Sequence, residues 1–191
     1  MEELSTTQKT SIEALINKGY QNAASSFSSL IAQNVTISYN DIKVANESST
    51  INDLVEAKKE TIIVKTNIIG DLVGESFLLL SPDEEETICK LSLNAFGGGA
   101  GVDNDLILKE IDNIISAAVI TELSNALDLK IYGDVPHLYH LGNKEGFNDL
   151  LKLTDDEYYI LTDAHFVFDG HISVCPKFIW KFEEKLASLI G

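Results

Sequence analysis

The sequence predicts an α+β fold: two α-β-β-β-α halves related by a pseudo-two-fold axis, sharing a mostly antiparallel sheet with two long helices on its surface. Three observations lead there. Asn17 opens "NKGYQNAASSFSSLIAQNVTI" and Asn113 opens "NIISAAVITELSNALDLKI", 96 residues apart, a period that marks a duplicated subdomain rather than a solenoid unit. Gly74 in "LVGESFLLLSPD" and Gly170 in "FVFDGHISVCPK" keep the same offset, each placed where a hairpin should turn between apolar and β-branched runs. Short connections between consecutive strands favour antiparallel pairing. The 191 residues suffice for one compact body, read as a single domain whose repeat halves cover about 5–96 and 101–191.

The elements follow in order. A first helix is expected from Thr7 to Ala32, with Ser5-Thr6-Thr7-Gln8 offering a capping box. Strands are expected near "VTISY", "TIIVKTNIIG" and "ESFLLLS". Ser81 then caps a helix that starts at Pro82, a residue suited to the first helical position because its missing N–H would have no partner there. "FGGGAG", residues 96–101, ends that helix and joins the halves. It lacks the following Lys-Ser or Lys-Thr pair, or the dinucleotide spacing, of a phosphate cradle. The second long helix should span Asp103 to Leu127, followed by strands near "LKIYGDV", "EYYILTDAHFVF" and "HISVC". Asp169-Gly170 is a strong turn signal, because glycine takes a positive φ at no steric cost. Pro82 maps onto Phe178 by the 96-residue offset, so the terminal stretch "KFIWKFEEKLASLIG" reads as the closing helix, with Trp180 and Phe182 as its core residues.

Along the second long helix Ile107, Ile111, Ile114, Ala118 and Leu123 recur every three or four residues and define a core face. Glu110 and Asn113 fall on the other side. Three residues apart, they are helix neighbours that can reach one partner, and Ala117, one turn on, leaves the approach open. Such a pair, taken alone, reads as what an exposed helix face carries; a mid-helix Asn, a mediocre helix former that competes for backbone bonds, shifts that balance only slightly toward a purpose.

Charge and cysteine usage narrow the classes of function. Fourteen Lys and Arg stand against 30 Asp and Glu, a formal net charge of −16. That repels nucleic acid and anionic lipid and attracts a partner with a basic surface. Cys89 and Cys175 are too few for a disulfide framework or a structural zinc site and read as buried thiols in a reducing compartment. The start "MEELSTTQKT" lacks the basic and apolar regions of a signal peptide, and no apolar run approaches the ~18 residues of a membrane span. A cytoplasmic location is expected.

Glu110-x2-Asn113-x22-Pro136, set in "EIDNIISAAVITELSNALDLKI", resembles the active-site motif of the CheC family of chemotaxis phosphatases, the group with CheX and FliY. The first half, with "NKGYQNAASSFSSL", is similar to the other copy of that motif. The resemblance implies a protein that dephosphorylates the response regulator CheY, whose phosphoryl group sits on an aspartate. It assigns Asn113 to hold the attacking water, Glu110 to contact a lysine of the regulator, and Pro136 to the motif's structural end. It implies no cofactor on this chain, Mg²⁺ being carried by the partner receiver, and it makes CheD a further candidate partner. Leu106 stands where the family often has Asp or Ser, with Asp105 one place early. In the first half Asn17, Gly19, Asn22, Ala23 and Ala24 keep their places, but Ala14 replaces the docking Glu and Asn40 the Pro. Glu13, one residue off, is rotated about 100° around the helix. Asn17 therefore marks a degenerate second site.

The remaining candidates read as structural. His137 and His140 form an HxxH, and His165 and His171 flank the 169–170 turn, without the further ligands a metal wants. "SPDEEET" places acids at the positive end of a helix dipole. Ser25, Ser26, Ser28 and Ser29 have no matched base. Two rivals to the phosphatase remain: a non-catalytic module of the same fold that docks receivers, CheD or a flagellar-switch component, and an oligomer with no receiver partner.

Overall fold

A computed structural model describes residues 4–45, 61–97, 102–142, 144–152, 154 and 157–190. Helix α1 (Thr6–Ile31) starts on the expected capping box: the Gln8 amide N–H donates to Ser5 Oγ (3.2 Å), and the Ser5 N–H to Gln8 Oε1 (2.8 Å). It ends at Ala32, whose φ of 53° turns the chain into β1 (Val35–Ala45). After β2 (Thr61–Gly70) and β3 (Gly74–Leu80), helix α2 (Pro82–Ser92) begins behind Ser81, which forms a second capping box with Glu84. A 3₁₀ turn, Leu93–Phe96, and Gly97 at φ 99° stop it; the rest of the glycine linker, residues 98–101, lies outside the described residues.

Helix α3 (Asn104–Leu127) is capped by the Asp103 carboxylate and ends at Asp128, φ 51°. Ala32 and Asp128, the left-handed ends of the two long helices, are themselves 96 residues apart. β4 (Ile131–Gly133), β5 (His137–Leu141), α4 (Lys144–Leu151), β6 (Glu157–Phe168), β7 (Ile172–Val174), β8 (Lys177–Glu183) and α5 (Lys185–Leu189) complete the chain.

All strand pairs are antiparallel, in the order β1-β6-β8-β3-β2-β4, with β5 also on β2 and β7 also on β6. The pseudo-two-fold axis passes between β8 and β3, and each half lends its first strand to the edge of the other. The central strands β2, β3 and β8 are buried on both faces along most of their length. Ile62, Val64 and Ile68 of β2 join the larger core beneath α1 and α3, whereas Ile63 joins a smaller cluster with Phe147 and Leu151 of α4. Burial on both faces is why "TIIV" and "FLLL" read as unbroken apolar runs rather than as an alternation. α1 and α3 lie against one another. At Gly19 an added Cβ would stand 2.6 Å from Val119 Cγ2, so the close crossing depends on glycine. Buried Glu122 ties the helices by accepting from Asn22 (2.7 Å) and pairing with Lys18 (2.6 Å).

Four expectations are corrected. "KFIWKFE" is strand β8, not helix, and only Lys185–Leu189 closes helically. Phe178, Trp180 and Phe182 enter the larger core while Ile179 enters the smaller one, a period of two in a central strand. Gly74 is not a turn residue but opens β3, where an added Cβ would meet the Lys181 carbonyl oxygen at 2.4 Å. Gly170 does turn, at φ 74° beside Asp169 at φ 46°. The repeat offset also lengthens. Phe77 opposes Lys65 and Ile179 opposes Leu161, so β2 and β6 keep the 96-residue spacing while β3 and β8 are 102 apart. The β7 hairpin supplies the difference, and the counterpart of Pro82 falls at Glu184, before α5. Finally, the core face of α3 includes Leu108, Asp112, Ile115, Ser116, Val119 and Glu122, with Ile114 and Ala118 only half-buried.

Candidate functional site

The helical period places Leu106, Glu110, Asn113 and Ala117 in one stripe along α3, three or four residues apart. Leu106, Asn113 and Ala117 are exposed and Glu110 is half-exposed. Among the described residues no side-chain hydrogen bond or ion pair engages Glu110 or the Asn113 amide; the Asn113 carbonyl accepts from Ser116 Oγ at 3.4 Å. A carboxylate and a carboxamide thus stand side by side on an open helix face, with hydrogen-bonding capacity directed outward.

The helix passes over a break in the sheet edge. At its start Asp105 meets His140 of β5 (3.3 Å). Near its end Ile120 Cδ1 lies 3.2 Å from where a Cβ would sit on Gly133 of β4. The stretch carrying Glu110 and Asn113 runs between, alongside Pro136. Ile68 pairs with Gly133 and Lys65 with His137, so residues 134–136 stand opposite only Thr66 and Asn67. This is a β-bulge, a place where proline, with no N–H to give a ladder, is tolerated. The Asp134 N–H bonds the Asn67 carbonyl (2.8 Å), and Val135 is left 69% exposed. The other half has its own bulge, where residues 40 and 41 stand opposite Asp163 alone.

Beneath the site lies a residue the sequence reading missed. Asp112 is fully buried, and its Oδ2 accepts from Thr66 Oγ1 at 2.7 Å. Burial pushes the carboxyl from 3.8 up to about 7, while the Thr66 bond pulls the other way. Its Oδ1 has no partner among the described residues. The signal for it was positional: Asp112 sits four residues after Leu108 and three before Ile115, both buried. Thr162, 96 residues after Thr66, is held from α1 by the Tyr20 hydroxyl (2.5 Å), whose ionisation burial strongly opposes.

On α1 the corresponding stripe is Thr10, Ala14, Asn17 and Gln21. Asn17 is half-buried, Ala14 offers no charge, and exposed Gln21 occupies the turn that Ala117 leaves open on α3. Asn22 is taken up by Glu122, and the side chain of Asn40 lies outside the described residues. The structure therefore brings Glu110, Asn113 and Pro136 to one region and does not complete such a set around Asn17.

The other candidates have structural placements. His137 and His140, three apart on a strand, point to opposite sheet faces and cannot share an ion. Among the described residues no group of three or more His, Cys, Asp or Glu is arranged to hold a metal. Ser25 and Ser29 bond back to helix carbonyls, and Ser28 bonds Val35. Cys89 and Cys175 are free; Cys89 is buried as expected and burial raises its thiol to about 12, whereas Cys175 is exposed rather than buried, its thiol raised by partial desolvation and by the nearby Glu84 and Asp163 carboxylates. No helix of the described residues is long and apolar enough to cross a membrane.

No protein-family model matches the sequence, and no curated protein does. Solved structures do. FliY of Thermotoga maritima is 17% identical with a TM-score of 0.72, over 99% of this chain and 96% of that one. FliM of H. pylori, in a FliG–FliM complex, is 15% identical with a TM-score of 0.62, over 97% and 100%. The chemotaxis protein CheX of Desulfovibrio desulfuricans is 13% identical with a TM-score of 0.53, over 87% and 97%. By its architecture, this chain has the fold shared by CheC-like proteins, CheX, FliY and the FliM middle domain.

Proposed function

We propose that this protein hydrolyses the aspartyl-phosphate of a CheY-like response regulator, with α3 inserted at the regulator's active site. The observation that carries the reading is the exposed Glu110–Asn113 pair on a rigid helix, without partners among the described residues, beside the bulge that holds Pro136. An acyl phosphate is already activated, so a catalyst need mainly place a water in line with the P–O bond to the aspartate. The Asn113 carboxamide can accept from that water and orient it. Attack at phosphorus then expels the aspartate carboxylate and leaves inorganic phosphate. Glu110 gives a charge-assisted contact to a lysine of the regulator and fixes the helix in register. The metal belongs to the regulator, where Mg²⁺ neutralises the phosphoryl oxygens. The chain's −16 charge suits a lysine-bearing docking face.

The test is the decay of a phosphorylated CheY-like receiver with and without the protein. Asn113→Ala should lose on the order of 10²-fold in turnover while still binding the receiver. Glu110→Ala should weaken binding and turnover together. A second reading has its own support, since one of the similar structures is a FliM bound to FliG: the same surface would serve an adaptor that docks receivers, CheD or a switch component without hydrolysis. Receiver binding without any acceleration of decay would select it.

A further inference from the structure

We propose that Asp112 is a positioning residue for the acid–amide pair: anchored to Thr66, its buried carboxyl fixes the turn of α3 that presents Glu110 and Asn113, and it does so as the uncharged acid. The inference deepens the phosphatase reading and rests on it for its functional consequence, but not for its structural one.

Asp112 directly precedes Asn113 and, rotated about 100° around the helix, points into the core with no exposed surface. Its one bond, to Thr66 Oγ1, reaches the part of β2 that faces the 134–136 bulge. The Thr66 methyl also lies 3.3 Å from where a Cβ would sit on Gly133. A single contact therefore couples the rotation and height of this helical turn to the strand break holding Pro136. The other half differs at this point. Ile16 occupies the position 96 residues before Asp112, and Thr162 is held by a phenol instead. Only the helix with the Glu–Asn pair has an acid as its anchor.

A buried carboxylate with an unpartnered oxygen is costly, and protonation removes that cost. Among the described residues no neighbouring charge supports the ionised form. On α3, Lys109 and Glu110 are half-exposed, and Glu122 is held by Lys18 and Asn22 of α1. On the strands, Lys65 and Glu75 pair with each other on the far face of the sheet, and Asp134 and His137 are exposed. The upward shift from 3.8 to about 7 is consistent with this setting. The acid binds its proton more tightly folded than unfolded, so the fold loses stability as pH rises from about 4 to about 7, and the loss is constant above that.

The decisive measurement is the pH titration of the Asp112 carboxyl carbon by NMR in the full chain, with unfolding midpoints of the unmodified protein and Asp112→Asn across the same range. The expected carboxyl midpoint lies near 7, with Thr66→Val moving it upward. The unfolding midpoint of the unmodified protein should fall relative to Asp112→Asn between about pH 4 and 7. Phosphorylated-receiver decay should slow by up to about tenfold per pH unit above neutrality for the unmodified protein, while Asp112→Asn keeps its turnover and loses that slope. A carboxyl midpoint near 4, or parallel pH curves for the two proteins, overturns the proposal. If no receiver decay is accelerated at any pH, the phosphatase reading fails, and the titration and unfolding curves still decide the role of Asp112 as an anchor.

Discussion

At Gly19 the side chain had to vanish for the two long helices to meet. An added Cβ would lie 2.6 Å from Val119 Cγ2 and 2.7 Å from Val119 Cα, and the second clash is with backbone that no rotamer can move. Gly19→Ala gains helix propensity but forces α1 away from α3, and the overpacking should dominate, lowering stability by about 1–3 kcal/mol in denaturant unfolding. Val119→Ala should not rescue it, because the clash with the backbone of residue 119 survives; full rescue would place the strain elsewhere. Nearby, Glu122 shows how a residue of the degenerate first-half motif, Asn22, can be spent on structure. Its carboxylate holds Asn22 and Lys18 of α1, so an amide that keeps its place in the repeat has become part of the helix–helix joint.

Among the elements, what could be read from sequence was what local chemistry decides. Ser5 with Gln8, Ser81 with Pro82 and Asp103 each cap a helix within a few residues of chain, and all three starts lie where those residues place them. The outward direction of Glu110 and Asn113 followed from helical period alone. What escaped depends on distant partners. β8 has both faces buried between β3 and β6, so its apolar run carried no alternation, and the helix formers of "EEKLASL" directly behind it extended the wrong period backward. β5 is a partly exposed edge strand that Pro136 separates from β4. Asp112 was hidden because a charged residue ordinarily argues for surface. Lys181 is a similar case: on the face of β8 opposite the larger core, it is buried against Glu75 and Glu157 (3.2 Å each) and the carbonyls of Leu151 and Lys152 that end α4. Lys181→Ala strips two carboxylates and a helix end of their shared cation. It should lower stability by about 3 kcal/mol and speed proteolysis around α4. An unchanged unfolding midpoint would show that solvent replaces the lysine at no cost.

For the whole molecule, duplication supplied two equivalent helices on one sheet, and divergence left one of them equipped. Ala14 against Glu110, Gln21 against Ala117 and Ile16 against Asp112 each remove from α1 something that α3 has: an outward carboxylate, an open approach and a buried acid. The surrounding field does not share that asymmetry, because the formal charge of −16 belongs to the chain as a whole. If the protein docks a receiver as proposed, two contributions to that docking can be separated by salt. The long-range field accelerates encounter and is screened as the Debye length falls from ~10 Å at 0.1 M to ~3 Å at 1 M. The short contacts of Glu110 and of exposed Leu106, one turn before it on α3, would act only after encounter and govern dissociation. Stopped-flow association with a phosphorylated CheY-like receiver should slow about tenfold or more over that range, with a much smaller change in the dissociation rate. Glu110→Ala should raise the dissociation rate while leaving the slope of association against salt nearly intact, since it removes one charge from a large excess. If association instead proves indifferent to salt, the apolar Leu106 governs docking, and the acidic surface serves solubility rather than recognition.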